Sequence, residues 1–236
     1  MKLDNKLFKK QGYIHLKDVI PTKQLKIARR EAINLKRDKI SELGKPKSYG
    51  TGKWWRGIEM ASRESEELFM CYIHPFMQQI VPVFMETTDI WLFNDQAVVK
   101  LPNEEFAFPE HFDNQYGPDP EGALNGDFKT INFMWVLTNM PKESGALEIQ
   151  NQETGEYELI EAKAGDIIAI EGNVYHRSNH NTTDKPRALY ACVFSTKCME
   201  FEGFYQAKWK FCNCRDGISN IKLDEDDQKL WESYKK

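Results

Sequence analysis

The sequence FPEHFD at residues 108–113 contains an H-x-D triplet formed by His111 and Asp113. On a β-strand, side chains at positions i and i+2 point to the same face, about 6 to 7 Å apart, so both residues can bind one ion. A second stretch, HRS at residues 176–178, supplies another histidine. His176 would complete a 2-His-1-carboxylate set, which leaves one side of an octahedral Fe(II) open for other molecules. The pattern therefore favours a non-haem iron oxygenase.

The specificity of this signal depends on both stretches. Because the chain has five histidines, one H-x-D triplet is expected by chance in roughly one such chain in four. The order His176, Ser178, Arg187 is much rarer, at about one or two chains per hundred. Together the two stretches are a specific signal for a metal site.

Length and composition indicate a globular protein. The chain has 236 residues, of which 41% are hydrophobic, 12% aromatic and 29% charged. These proportions are typical of a folded domain, and no linker rich in Ser, Gly or Pro divides the chain. We therefore expect a single domain over residues 1–236, with a helical part at about 1–88, a β-rich core at about 89–196 and a C-terminal extension at 197–236.

Charge and hydropathy exclude some partners. A net charge of −4 and a pI near 5.8 provide no concentrated basic face for nucleic acid. The first 16 residues lack the apolar core of a signal peptide, and the longest stretch without charged residues, 68–85, contains His74, two glutamines and two prolines, which a bilayer disfavours. We expect a cytoplasmic protein with a small-molecule substrate, no membrane partner and an oligomeric state that the pattern leaves open.

The five cysteines are an odd number without a C-x-x-C pair, which indicates reduced thiols. Cys212 and Cys214 are two positions apart and could chelate a soft metal. No second Cys/His pair follows them, so the reduced-thiol interpretation is preferred.

Helical patterns dominate the first third of the chain. Apolar residues recur at helical spacing from Thr22 to about Leu43, and again from Glu64 to about Met85, where two prolines predict at least one break. Between them, a loop with several Gly and Pro leads to Trp54, Trp55 and Arg56. The two tryptophans either pack against the core or line a substrate pocket, with Arg56 as an orienting charge.

Strand patterns follow. Residues 90–100 alternate, with Trp91, Phe93, Ala97 and Val99 predicted on one face and a partly polar second face. Residues 114–126 have the composition of a turn region. Further strand patterns occupy 130–139, 146–150, 156–160, 167–170 and 187–195. Helices followed by many short strands predict an α+β fold, with N-terminal helices packed on a double-stranded β-helix, or cupin-like jelly roll.

Several motifs resemble the phytanoyl-CoA dioxygenase family of Fe(II)/2-oxoglutarate oxygenases, which includes the ectoine hydroxylases. The similarity runs from Gly12 to about Ser195 and covers most of the chain. Its motifs are GYIHL with the following helix, QAVVKLP before the H-x-D triplet, WVLTN leading to SGALE, AGDII, and HRS with Arg187 at its characteristic spacing.

This resemblance implies roles for named residues. His111, Asp113 and His176 would bind Fe(II), and Arg187 would pair with the far carboxylate of 2-oxoglutarate, which a guanidinium matches with two parallel hydrogen bonds. Ser178 would donate a hydroxyl hydrogen bond. Similar enzymes place further cosubstrate contacts at the positions of Phe108, Gln96 and Lys100, although a strand Gln or Lys is often only a solvated edge.

The resemblance implies hydroxylation of a small molecule, with consumption of O2 and release of succinate and CO2. Asp113 favours hydroxylation over halogenation, since related halogenases have a small residue at that position. The family's long insertion after the G-A-L motif is replaced by the short stretch 150–155, so the family's substrates do not transfer to this chain. Two alternatives stay open, a non-catalytic cupin-like binding module and a redox-silent lyase or isomerase.

Overall fold

The computed structural model describes residues 3–43, 57–199, 207–210 and 221–222. Its helices lie mostly before the main sheet in the chain. Within these ranges the α-helices are α1 (Asn5–Gln11), α2 (Thr22–Leu43), α3 (Glu66–Tyr72), α4 (Pro75–Met85) and α5 (Pro120–Asn125). The predicted helix from Thr22 to Leu43 is confirmed with the same bounds.

The second predicted helical region contains the expected break. It divides into α3 and α4, which are bent by 45° relative to each other. The His74 side chain accepts a hydrogen bond from the Phe76 N–H, and Pro75 occupies the first turn of α4, where its missing N–H leaves no bond unmade. Over the described part of the chain, no single helix is long and apolar enough to cross a membrane, and α3 with α4 meet the length and composition criteria only as a bent pair.

Two sheets form the β-rich part. Their strands are β1 (Tyr13–Leu16), β2 (Ile58–Glu59), β3 (Asp89–Lys100), β4 (Phe108–His111), β5 (Thr130–Val136), β6 (Leu147–Gln150), β7 (Tyr157–Ile160), β8 (Ile167–Glu171), β9 (His176–Ser178), β10 (Arg187–Ser195), β11 (Ala207–Lys210) and β12 (Ile221–Lys222). The larger sheet has the order β1-β8-β5-β10-β3-β11-β12, with β2 also paired to β3, and the smaller sheet has the order β4-β9-β6-β7.

Buried side chains lie on both faces of the larger sheet. One cluster joins helix residues such as Leu68 and Phe84 to sheet residues such as Phe133. A second cluster joins the two sheets, with Leu189 of β10 and Ile149 of β6 among its members. The larger sheet is therefore covered by helices on one face and by the smaller sheet on the other, which confirms the α+β fold with a jelly-roll core.

Both ends of the chain contribute strands to the larger sheet. β1 and β2 lie within residues 1–88, the part predicted to contain the N-terminal helices, and β11 and β12 come from the predicted C-terminal extension. β11 pairs with the first half of β3, where Ala207 is opposite Leu92. The division of the chain into one domain with these three parts stays a prediction.

One prediction about β3 was wrong. Trp91 and Phe93 were placed on the face of Ala97 and Val99, but the register with β10 shifts at this point, so that Phe194 is opposite Leu92 and Val193 is opposite Asn94. A β-bulge inserts an extra residue and reverses which face the following side chains occupy. Phe93 consequently packs with Val193 away from the helical cluster.

The turn region predicted at residues 114–126 is partly helical. A 3-10 helix spans Asp113–Tyr116, and α5 follows. The Asp119 side chain accepts a hydrogen bond from the Gly122 N–H and caps α5, while Gly126 ends it in the left-handed conformation with φ 80°. Asp, Pro, Gly and Asn suit helix ends as well as turns, which explains why composition alone did not separate the two.

Candidate metal and cosubstrate site

Three side chains from the two histidine-containing stretches converge between the sheets. His111 ends β4, Asp113 begins the 3-10 helix and His176 begins β9, where it lies opposite His111 in the strand register. The Asp113 Oδ1 atom is 3.9 Å from His111 Nε2 and 3.6 Å from His176 Nε2. One ligand atom from each of the three residues lies within 4.8 Å of the others, so together they could hold a metal ion.

The other polar atom of each of these side chains already has a partner. His111 Nδ1 is 2.7 Å from the Pro109 carbonyl oxygen, and His176 Nδ1 is 3.0 Å from the Val174 carbonyl oxygen. A carbonyl can only accept, so Nδ1 carries the proton in both rings and the Nε2 lone pair is available to a metal. Both histidines thus have the tautomer that a metal ligand needs.

Asp113 is oriented in the same way. Its Oδ2 atom accepts a hydrogen bond of 2.9 Å from Asn132 Nδ2 on β5, which leaves Oδ1 directed towards the two histidines. Asn132 is almost completely buried. Hydrogen bonds from a side-chain amide fix the geometry of a ligating carboxylate, and such partners contribute strongly to metal affinity.

The H-x-D triplet does not lie on one continuous strand, in contrast to the prediction. Phe112 is extended, with φ −122° and ψ 144°, but Asp113 already belongs to the 3-10 helix. Because Phe112 between them is extended, the side chains of His111 and Asp113 still point to the same side of the chain. The turn is held by Asn114, whose N–H donates to the Gly172 carbonyl and whose side chain bonds Thr130 and Asn173.

Arg187 lies at the inner end of a small cavity of about 60 Å³ that is also lined by the His-Asp-His cluster. Its side chain is 1% exposed, and its Nη2 atom donates to the Gly145 carbonyl at 3.0 Å and to Ser178 Oγ at 3.3 Å. Its Nε and Nη1 atoms have no partner among the described residues. Burial lowers the pKa of Arg187 to about 9, so it stays charged at neutral pH.

Gly145 allows this arrangement because its backbone adopts φ 74° and approaches residue 179 closely. A Cβ atom added there would lie 2.2 Å from the Asn179 carbonyl oxygen. Only glycine tolerates both the conformation and the contact. The glycine of the SGALE motif thus brings its own carbonyl to Arg187 and keeps Asn179 close to the site.

Lys100 is the second buried basic residue at this end of the cavity. Its Nζ atom donates to Ser178 Oγ at 2.8 Å and to the Asn179 carbonyl. Burial, and secondarily the charge of Arg187, lowers the pKa of Lys100 to about 5. The alternative of a solvated edge lysine is therefore excluded, since the residue is 0% exposed.

The outcome for the other predicted residues is mixed. Phe108 and Gln96 line both the small cavity and a larger one of about 310 Å³, so they lie beside the cluster. Ser178 accepts hydrogen bonds from both Lys100 and Arg187. The predicted substrate residues Trp54, Trp55 and Arg56 lie outside the described residues, as do Cys212 and Cys214.

Several polar residues of these cavities were missed by the sequence reasoning, among them Asn132, Asn94 and Glu59. Asn132 and Asn94 are buried within strands, and Glu59 is on the short strand β2. Each asparagine interrupts an otherwise apolar or alternating strand pattern, in TINFMWVLTN and IWLFNDQAVVK. A polar side chain in such a strand is a usable signal, because a buried amide must be hydrogen-bonded or face a cavity.

The fold and site together define a jelly-roll protein with a 2-His-1-carboxylate cluster and a buried arginine nearby. Residues 8–189 match the family described as Phytanoyl-CoA dioxygenase (PhyH). The match covers well over half of the chain, which therefore belongs to the phytanoyl-CoA dioxygenase family. Membership supports a dioxygenase-type function.

Individual relatives are more distant. The chain is 31% identical over 87 residues to Dioxygenase af480 of Aspergillus fumigatus, a match that covers 31% of this chain and only 28% of that protein. The activity of that whole protein therefore does not transfer by the match alone.

Solved structures share the fold. EctD from S. alaskensis, crystallised with 2-oxoglutarate and 5-hydroxyectoine, has a TM-score of 0.66 at 16% identity and covers 83% of this chain and 77% of its own. The epimerase SnoN, in complex with Fe3+, alpha ketoglutarate and nogalamycin RO, has a TM-score of 0.63 at 16% identity over 84% and 85% of the two chains. At these identities the likeness concerns the fold.

Proposed function

We propose that this protein is a non-haem Fe(II)- and 2-oxoglutarate-dependent dioxygenase that hydroxylates a small molecule and releases succinate and CO2. One observation carries the proposal. A single cavity is bordered by the His111, Asp113 and His176 cluster and by Arg187, whose Nε and Nη1 donors lack partners among the described residues. The site therefore offers ligands for a metal and an unfilled guanidinium for a carboxylate.

The donor set fits Fe(II). Two imidazole nitrogens and one carboxylate oxygen are the ligands of the facial triad, which leaves further metal positions open. The Nδ1 and Oδ2 atoms of the cluster are already held by Pro109, Val174 and Asn132, so the Nε2 and Oδ1 atoms are the ones directed towards a metal. Bound iron would supply the activation of O2 that the side chains alone cannot provide.

The inner end of the cavity fits a dicarboxylate. The Ser178 hydroxyl oxygen accepts from Lys100 Nζ and Arg187 Nη2, which uses both of its lone pairs. Its own proton can then be donated to a third group. With the two free donors of Arg187, the pocket presents three hydrogen-bond donors to a carboxylate, in a site where burial strengthens each bond.

The remaining residues exclude water and orient the ligands. Phe108 and Leu147 line the small cavity together with Leu189, and such apolar walls keep bulk water from the metal. Asp113 supports hydroxylation over halogenation, because it occupies the position that a halide would take in the related halogenases. The larger cavity, on the open side of the cluster, is the proposed substrate space.

Formation of succinate from 2-oxoglutarate tests the proposal. Purified protein with Fe(II), 2-oxoglutarate and O2 should form succinate and CO2, and omission of O2 should abolish both. A lyase or isomerase that uses the same cluster would form no O2-dependent succinate, and a binding module would form none at all. Either result would overturn the dioxygenase assignment.

Variants locate the activity in the site. Asp113→Ala and His176→Ala should each lose succinate formation. His15→Ala is the matched control for histidine replacement, since His15 pairs with Asp166 at 2.8 Å outside the cavity. Incubation of the enzyme with a metabolite extract, followed by a mass search for products heavier by one oxygen, would then identify the substrate.

A further inference from the structure

The larger cavity, of about 310 Å³, shares His111 and Asp113 with the metal cluster. On the proposed function it is the place where a substrate presents its C–H bond. The groups that line it therefore determine which class of molecule can bind. Its floor is formed by three neighbouring strands of the larger sheet, β3, β10 and β5.

A row of side chains crosses this floor. Val193 of β10 is opposite Asn94 of β3 and also opposite Asn132 of β5. Directly opposite residues point to the same face of a sheet, and neighbouring strands are about 4.8 Å apart. The two amides thus lie on either side of Val193, about 9.6 Å apart at the backbone, and both line the cavity.

Both amides present an unsatisfied acceptor. Asn94 and Asn132 are 8% and 6% exposed, and the Oδ1 atom of each is buried with no hydrogen-bond partner among the described residues. The orientation of Asn132 is set by chemistry, because its Nδ2 atom donates to the Asp113 carboxylate and its oxygen must point elsewhere. Buried polar atoms without protein partners in a cavity mark positions where a water molecule or a bound ligand supplies the missing group.

A carboxylate side chain lies on the same face of the larger sheet. Glu59 of β2 is opposite Gln96 of β3, and both line the cavity. None of the described residues that line this cavity is a lysine or an arginine. The aromatic rings of Phe93 and Tyr116 complete the wall, and aromatic faces also attract cations. The cavity therefore combines hydrogen-bond acceptors with negative charge.

From this combination we propose that the substrate is a small molecule with a protonated amine and at least one further hydrogen-bond donor. The inference deepens the proposed function and rests on it. Glu59 binds the ammonium group, and the amide oxygens of Asn94 and Asn132 accept from the ammonium or from hydroxyl groups. An anionic substrate would instead meet the Glu59 carboxylate and two buried acceptors, with no lysine or arginine among the described lining residues, which disfavours it.

Three pyranose sugars of similar size test the proposal. Glucosamine, glucose and glucuronate share one ring and differ in charge. Each is titrated anaerobically into the full-length protein loaded with Fe(II) and 2-oxoglutarate. Absorption of the Fe(II)–2-oxoglutarate complex reports that the complex has formed, and calorimetry gives the dissociation constant of each sugar. Glucosamine should bind about tenfold more tightly than glucose, and glucuronate more weakly than either.

Two variants assign the effect to the cavity. Glu59→Gln and Asn94→Leu should each weaken glucosamine binding by about tenfold while the absorption of the 2-oxoglutarate complex is unchanged. Glu121→Gln is the matched control, since Glu121 is an exposed carboxylate of α5 that does not line the cavity. It should bind glucosamine like the wild type.

The possible failures are distinguishable. The amine assignment is overturned if glucuronate or glucose binds as tightly as glucosamine, if none of the sugars binds to the formed complex, or if both variants bind glucosamine like the wild type. If no 2-oxoglutarate complex forms, the proposed function itself is contradicted, and this assignment falls with it.

Discussion

Lys100 and Arg187 lie directly opposite each other in the register of β3 and β10, and both side chains are almost completely buried. Two buried basic side chains beside each other cannot both be protonated without a counter-ion. Burial and the neighbouring guanidinium lower the pKa of Lys100 to about 5, while Arg187, with a pKa of about 9, keeps its proton. At pH 7 the free protein thus holds one charged and one neutral group where the proposed cosubstrate binds.

Binding of 2-oxoglutarate should therefore take up a proton. The bound dianion favours the protonated amine and raises the pKa of Lys100 again, so we expect uptake of about one proton at pH 7. Because the complex binds more protons than its components, affinity should increase as the pH falls from 8 to 6. Calorimetry in two buffers with different ionisation enthalpies measures the uptake. Lys100→Met should bind 2-oxoglutarate more weakly and without proton uptake. Equal proton uptake by the variant and the wild type would contradict the prediction.

Lys100 should also make the ligand-free protein less stable at low pH. Its pKa is about 5 in the folded protein and about 10.4 in the unfolded chain. Between these values the unfolded state binds more protons, so the free energy of unfolding rises with pH, by up to about 1.4 kcal/mol per pH unit from this group. Denaturation in urea at pH 6, 7 and 8 measures this pH dependence of the free energy of unfolding. Lys100→Met should exceed the wild type in stability most at pH 6, and a difference independent of pH would exclude this explanation.

Each residue of the metal cluster should be required for metal binding. His111→Ala, Asp113→Ala and His176→Ala leave two ligands, which lowers affinity and distorts the geometry. We expect each variant to lose the rise in melting temperature that Mn(II) causes under anaerobic conditions, and to lose 2-oxoglutarate turnover with Fe(II). His15→Ala should keep both. A variant with a wild-type Mn(II) shift would show that its residue is not a ligand.

Arg187 should separate cosubstrate binding from metal binding. A ligand at a hundredfold excess over its Kd stabilises the native state by about 2.7 kcal/mol, or roughly 5 to 10 °C in melting temperature for a protein of this size. Arg187→Ala should lose most of the shift caused by 2-oxoglutarate in the presence of Mn(II) and keep the Mn(II) shift itself. The matched control is Arg29→Ala, which removes an arginine bonded to the Leu137 carbonyl outside the cavity. A full 2-oxoglutarate shift in Arg187→Ala would rule out its role.

Parts of this site were predictable because they depend on local order in the sequence. The H-x-D triplet, His176 and Arg187 were identified by spacing, and the structure brings all four residues to one cavity. The periodicity of apolar residues predicted most strands of the two sheets. These signals are local, since each concerns residues a few positions apart or a motif of fixed spacing.

Other parts depend on contacts between distant strands. The bulge at Phe93 arises from how β3 pairs with β10, and it reverses the faces that alternation alone assigns to Trp91 and Phe93. The position of Lys100 directly opposite Arg187 follows from the same strand pairing, and no pattern of neighbouring residues in the sequence indicates it. The 3-10 helix at Asp113 is stabilised by Asn114 through bonds to Thr130 and Asn173 from two other segments.

The bond between Asn132 and Asp113 is another contact of this kind, and it leads to a prediction about metal affinity. Asn132→Leu keeps the volume of the side chain but removes the donor that holds Asp113 Oδ2 at 2.9 Å. Without it the carboxylate can rotate, so we expect Mn(II) affinity to fall by about 10- to 100-fold while the fold persists. Asn151→Leu is the matched control, because the buried Asn151 amide donates to the Glu158 carboxylate, which is not part of the cluster. Calorimetric titration with Mn(II) of both variants measures the effect. Equal Mn(II) affinities in the two variants would mean that Asp113 keeps its orientation without Asn132.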